Sequence, residues 1–203
     1  MKRMPGMSRT TAALATCFLV LAGVECSAQP AIQPKPNSEP GKAYVVELRF
    51  ADLPGPLAEI TGSVVYRIAN LECVPVDKER AIGGVRLAPE HSLDIVWERQ
   101  ADGSFRGSVR ENPLLDENSF GLGVCRWELQ TTSVRFKSPV TKFLGGVGAE
   151  KLRAGETVKQ HYLVADFHHP PGVIEWVFGE KAGHYLEKMG PQFTLRISSR
   201  KAE

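Results

Sequence analysis

From residue 43 onward, apolar and polar side chains alternate with a period of two. Tyr44, Val46, Leu48 and Phe50 fall on one face of a run whose other face carries Glu47 and Arg49. That is the pattern of a strand with one buried side. Val64, Tyr66 and Ile68 repeat it, and Leu93, Ile95 and Trp97 alternate with Asp94, Val96 and Glu98. After Asp102-Gly103, Phe105 and Val109 alternate with Arg106, Ser108 and Arg110. An Asp-Gly pair between two alternating runs predicts a tight hairpin. Further strands are expected at residues 124–136, 158–167, 173–178 and 192–198. The 173–178 run is apolar on both faces apart from Glu175, which predicts a central strand. Residues 144–149 (LGGVGA) resist the pattern and read as a flexible loop, while residues 181–189 suit a turn or two of helix. There is no internal repeat and no helical period of any length. Short strands separated by turn signals predict an all-β chain folded as a single antiparallel β-sandwich. A small barrel is the alternative, because alternation does not report closure.

The first 42 residues are of another kind. Lys2, Arg3 and Arg9 precede an apolar run over residues 11–24, and Cys26-Ser27-Ala28 puts small residues before Gln29. Residues 1–28 therefore read as an export signal cut before Gln29. The apolar run falls short of the roughly 20 residues needed to span a bilayer. Glu25 directly before Cys26 does not suit lipid attachment, and Leu14-Ala15-Thr16-Cys17 would cut the run in half, so a soluble exported product is expected. Residues 29–42 (QPAIQPKPNSEPGK) hold prolines at 30, 34, 36 and 40. They deny the segment a helix or central strand, and it reads as an extended linker to a domain spanning residues 43–203.

Charge narrows the partners. The chain has 25 Lys and Arg against 23 Asp and Glu. Without the first 28 residues each sign counts 22, so the expected mature chain is electroneutral. Nucleic-acid binding needs a surplus of cations on one face, and a polybasic membrane tether needs a cluster, so neither is expected. Cys17 and Cys26 leave with the signal, which keeps Cys73 and Cys125. An even pair in an oxidising compartment predicts one disulfide. Cys125, Trp127 and Leu129 share a strand face, so an indole beside the bridge is expected in the core.

Catalytic and cofactor chemistry finds little support, and no cofactor is expected. His161, His168 and His169 are close in sequence but lack the spacing of a zinc site, so no metal is expected. Asp116, Glu117 and Asn118 lack the ligand number and glycine of a calcium loop. Glu98, Asp116, Glu128 and Glu175 are the candidate carboxylates for glycoside hydrolysis, with nothing in the sequence to set their separation. There is no Gly-x-Ser-x-Gly elbow, no free thiol for a Cys–His pair, and no Gly-Lys-Ser/Thr ending to Gly145-Gly146-Val147-Gly148.

The stretch DENSFGLGVCRW, residues 116–127, combines an acidic pair, an aromatic, Gly-x-Gly-x-Cys and a Trp two residues on. Together with Cys73-Val74-Pro75 and the Asp102-Gly103 hairpin, it resembles a motif of small, uncharacterised, β-rich exported proteins of proteobacteria. Some of these look like immunity proteins for toxins exchanged between bacteria. The resemblance covers roughly residues 73–130. It implies architecture: glycines for a tight approach to a strand, cysteine for the bridge, tryptophan for the core. It also implies a periplasmic or extracellular protein that works by binding another protein, with toxin neutralisation as the most specific version. An exported hydrolase with a site assembled from distant loops, or a structural or assembly component of the cell envelope, are the rival classes. The expected contact is the loop carrying Leu114, Leu115, Asp116 and Glu117, an apolar tip flanked by acids between two strands.

Overall fold

The computed structural model describes residues 32–169, 172, 175–181 and 186–202. The expected export signal lies outside them. The strands are β1 (Ala43–Ala51), β2 (Glu59–Ile68), β3 (Glu90–Asp94), β4 (Glu98–Arg99), β5 (Phe105–Arg110), β6 (Trp127–Lys137), β7 (Lys142–Gly148), β8 (Val158–Leu163), β9 (Val177–Phe178) and β10 (Gln192–Lys201). Two short helices, α1 (Ala149–Ala154) and α2 (Val164–His168), flank β8, and a 3-10 turn occupies Leu71–Cys73. The strands form two five-stranded sheets in the orders β4-β5-β1-β10-β8 and β3-β2-β6-β7-β9. The sheets stack without closing on each other, so the chain is a β-sandwich and not a barrel.

Alternation translates directly into the core. Tyr44, Val46 and Leu48 of β1 are buried between the sheets, as are Val64, Tyr66 and Ile68 of β2. The Tyr66 hydroxyl donates to the Arg110 carbonyl at 2.7 Å, which satisfies the polar end of a ring otherwise surrounded by apolar neighbours. On β6 the buried set is Trp127 and Leu129, then Thr132, Val134 and Phe136. The parity changes because Gln130 is an extra residue: Leu129 faces Tyr66 and Thr131 faces Val65. A bulge of this kind moves every later side chain to the opposite face. The Asp102-Gly103 hairpin forms as predicted, pairing Glu98 with Arg106 and Arg99 with Phe105, with Gly103 at φ 82°.

Four expectations need correction. Residues 142–148 are a strand, not a flexible loop. Gly145 makes room for the facing sheet: a Cβ there would lie 2.5 Å from Gln160 Oε1 and 2.8 Å from the Tyr162 hydroxyl. Of the expected central strand at 173–178, residues 173–174 are outside the described set, 175–176 are not in a strand, and Val177–Phe178 form an edge strand parallel to β7. The strand expected over 158–167 stops at Leu163, where α2 turns Phe167 back over the end of the core. Residues 95–97 are not in a strand; they carry the chain from β3 in one sheet to β4 in the other. The Trp97 ring fills the gap there, and a Cβ on Gly62 or on Gly107 would meet it within 2.9 Å. Of the expected helix at 181–189, residues 182–185 are not described, and Leu186 and Glu187 are helical.

The sandwich has two unlike ends. At one, Phe50, Phe136, Phe143, Tyr162, Phe167 and Phe193 pack ring against ring, with Phe136 and Phe143 stacked at 5.0 Å between centroids. At the other, Cys73 and Cys125 form the predicted disulfide with Cα atoms 5.4 Å apart. Both cysteines are buried, in the same core cluster as Trp127, Ile68 and Leu114.

Candidate binding surface at the bridged end

Beyond the end of β2, regular pairing to the chain before β6 gives way to side-chain contacts. The Asn70 amide donates to the Val124 carbonyl at 2.8 Å, and its oxygen accepts the Arg126 N–H at 2.7 Å. Asn70 thus continues the ladder with a side chain where backbone pairing has ended. The disulfide ties the 3-10 turn to the same segment. On its other side, Cys125 N donates to the Glu117 carbonyl at 3.0 Å.

The proposed contact residues prove to have different jobs. Leu114 is buried at 4% exposure and bridges to Pro36. Leu115 N donates to the Lys35 carbonyl, and its side chain is 39% exposed. Asp116 Oδ1 accepts the Trp127 N–H at 2.9 Å, which fixes the start of β6. Glu117 pairs with Lys35 at 2.6 Å. The proline-rich segment from Ile32 is extended and laid along this loop, with Ile32 against the core and Asn37 N bonded to the Pro113 carbonyl. Asn118 Oδ1 accepts the Gly123 N–H at 3.2 Å. One oxygen of each side chain weighed for calcium is therefore already engaged by another segment or by the loop itself.

The glycines of the motif also differ from what the resemblance implies. Gly121 (φ 73°) and Gly123 (φ 114°) are in the left-handed region, and a Cβ on either would meet nothing within 4 Å. They shape a turn; no strand approaches them. That turn pushes Leu122 and Val124 outward to 52% and 54% exposure, while Phe120 packs against the core. Leu71, across the disulfide, is 39% exposed. A shallow depression of about 410 Å³ lies among Asn70, Glu72, Leu122, Val124 and Arg126. Sequence reading passed over Leu71, Leu122 and Val124, although leucine and valine in the variable positions of Gly-x-Gly-x-Cys are unusual turn residues, and that was the available signal.

The other candidate chemistries are dispersed. Among the described residues no group of three His, Cys, Asp or Glu side chains is arranged to hold a metal ion. His161 is on β8 with Nδ1 3.0 Å from Gln192 Oε1, whereas His168 ends α2 and is exposed with His169. Of the carboxylates weighed for hydrolysis, Glu98 is on β4, Glu128 on β6 in the other sheet, Asp116 caps β6, and Glu175 pairs with Lys142 at 2.9 Å. Lys142 draws the Glu175 carboxyl below its ordinary range through a hydrogen bond and its charge. No family model, no curated protein and no solved structure matches the chain.

Proposed function

We propose that this is an exported binding protein whose partner is another protein, held at the bridged end of the sandwich. The observation that carries this reading is the exposure of Leu71, Leu115, Leu122 and Val124 on loops pinned by a disulfide, the Asn70 amide and the Asp116 cap. Apolar side chains on rigid loops lose little conformational freedom on association, and a protein partner would remove them from water. Acidic Glu72 and Glu117 and basic Arg126 border these residues, which gives a polar rim around an apolar centre. Neutralisation of a toxin in the periplasm is the specific form implied by the resemblance of residues 116–127. Crosslinking tests the reading. A photoreactive residue at 122 or 124 should give one discrete protein adduct in the native host. The same residue at Val140, equally exposed in the β6–β7 turn, should give none. Equal adducts at all three positions, or no protein adduct at 122 and 124, would defeat the proposal.

A further inference from the structure

The outer face of the first sheet sets like charges in direct register. Lys159 of β8 is opposite Arg196 of β10, and Arg196 is opposite Arg49 of β1. Like charges facing each other across strands destabilise a sheet, so such a row needs a compensating anion. Arg49 has two, Glu47 at 2.6 Å and Asp102 at 2.8 Å. Arg196 has none, and neither has Arg99, which comes from β4 and shares the opposite face with Phe105: among the described residues neither guanidinium makes a hydrogen bond or an ion pair.

These three arginines line one cleft of about 500 Å³, formed by the end of β1, the chain following it and the β4–β5 hairpin. Phe50, Leu53, Leu57 and Phe105 supply an apolar wall. Among the described residues Asp102 is the one carboxylate in the lining, and it is already engaged. The Ser104 hydroxyl and N–H donate to it and Arg49 pairs with it, which together hold its pKa down to about 2. The cleft therefore keeps two uncompensated guanidiniums next to hydrocarbon. Guanidiniums match the oxygens of carboxylates and phosphates in a bidentate geometry, and an apolar wall adds selectivity for the body of the molecule.

We propose that this cleft, remote from the bridged end, binds an organic anion with an apolar body. The charged group pairs with one of the two free guanidiniums, Arg99 or Arg196, and the hydrocarbon covers Phe50, Leu53, Leu57 and Phe105 between them. A fatty carboxylate and an alkyl phosphate share this chemistry, and titration calorimetry below the micellar range distinguishes them. Decanoate, decyl phosphate and uncharged decyl glucoside are the probes. One or both anions should bind at one per chain and at least tenfold more tightly than decyl glucoside; the tighter anion names the headgroup. The double variant Arg99→Gln/Arg196→Gln should weaken that anion at least tenfold with an unchanged or raised thermal midpoint. Arg200→Gln, on the same sheet face but outside the cleft, should bind as the parent does. The proposal is overturned if neither anion saturates by millimolar concentration or if decyl glucoside binds as well. It is equally overturned if the double variant keeps its affinity, or if Arg200→Gln loses as much as the double variant.

Discussion

The aromatic end and the bridged end solve the same problem by different means. At the aromatic end, β1, β6, β7, β8, β10 and α2 each send one ring into a shared cluster, and every ring is anchored on backbone that is already in a sheet or helix. Rings of this size gain from both burial and edge-to-face geometry, so no covalent link is needed. At the bridged end, the chain on both sides of the disulfide is a 3-10 turn and a glycine-bearing loop. Irregular backbone there is fixed by the bridge, by the Asn70 amide and by Asp116. Regular pairing makes a rigid scaffold with its apolar groups inside. Pinned loops let a chain hold apolar groups outside without collapsing onto them, which is what a recognition surface requires.

The sharpest way to break the contrast is to remove a central ring. Phe136 is within 6.4 Å, centroid to centroid, of Phe50, Phe143, Tyr162 and Phe193. Phe136→Ala should cost about 3–5 kcal/mol in urea unfolding, since a fully buried ring leaves a cavity. Replacing both bridge cysteines by alanine should cost up to about 4 kcal/mol by loop entropy, strain reducing it. The two losses should differ in place. The cysteine variant should keep the near-ultraviolet dichroism of the ring cluster and speed amide exchange around residues 70–74 and 117–126. Phe136→Ala should do the reverse. Gly145→Ala should cost about 1–3 kcal/mol, because the new methyl would press on Gln160, Tyr162 and Leu195 from the facing sheet. A loss below a few tenths of a kcal/mol would show that β7 yields as a flexible loop would. The smallest effect is expected for Asp116→Ala, about 1 kcal/mol from one acceptor to the Trp127 N–H. Its thermal midpoint against that of the parent measures it.

What could be read in the sequence follows from this contrast. The strands of the scaffold were legible because each carries its own inside and outside, as β1 does with Val46 and Leu48 against Glu47 and Arg49. The disulfide was legible from cysteine count and Trp127 from its spacing. β7 was not, because Gly145, between the inward Phe143 and Val147, leaves its place to side chains from β8; nothing within LGGVG announces Gln160 and Tyr162. The 173–178 run misled because apolar content on both faces also describes an edge where Phe178 remains 64% exposed. The bridged end was half legible. Residues 114–117 mark the right loop, yet Leu114 is buried in the core and bridges to Pro36, far away in sequence. The outward turn of Leu122 and Val124 depends on two glycines whose left-handed backbone only the fold reveals.

Amide exchange of the protein with and without its crosslinked partner tests the central claim most directly. Slowed exchange should concentrate in residues 70–74 and 115–126, and the strands around Phe136, Phe143 and Phe193 should be unchanged. Protection confined to the aromatic end, with the bridged end exchanging as freely as in the unbound protein, would contradict the account.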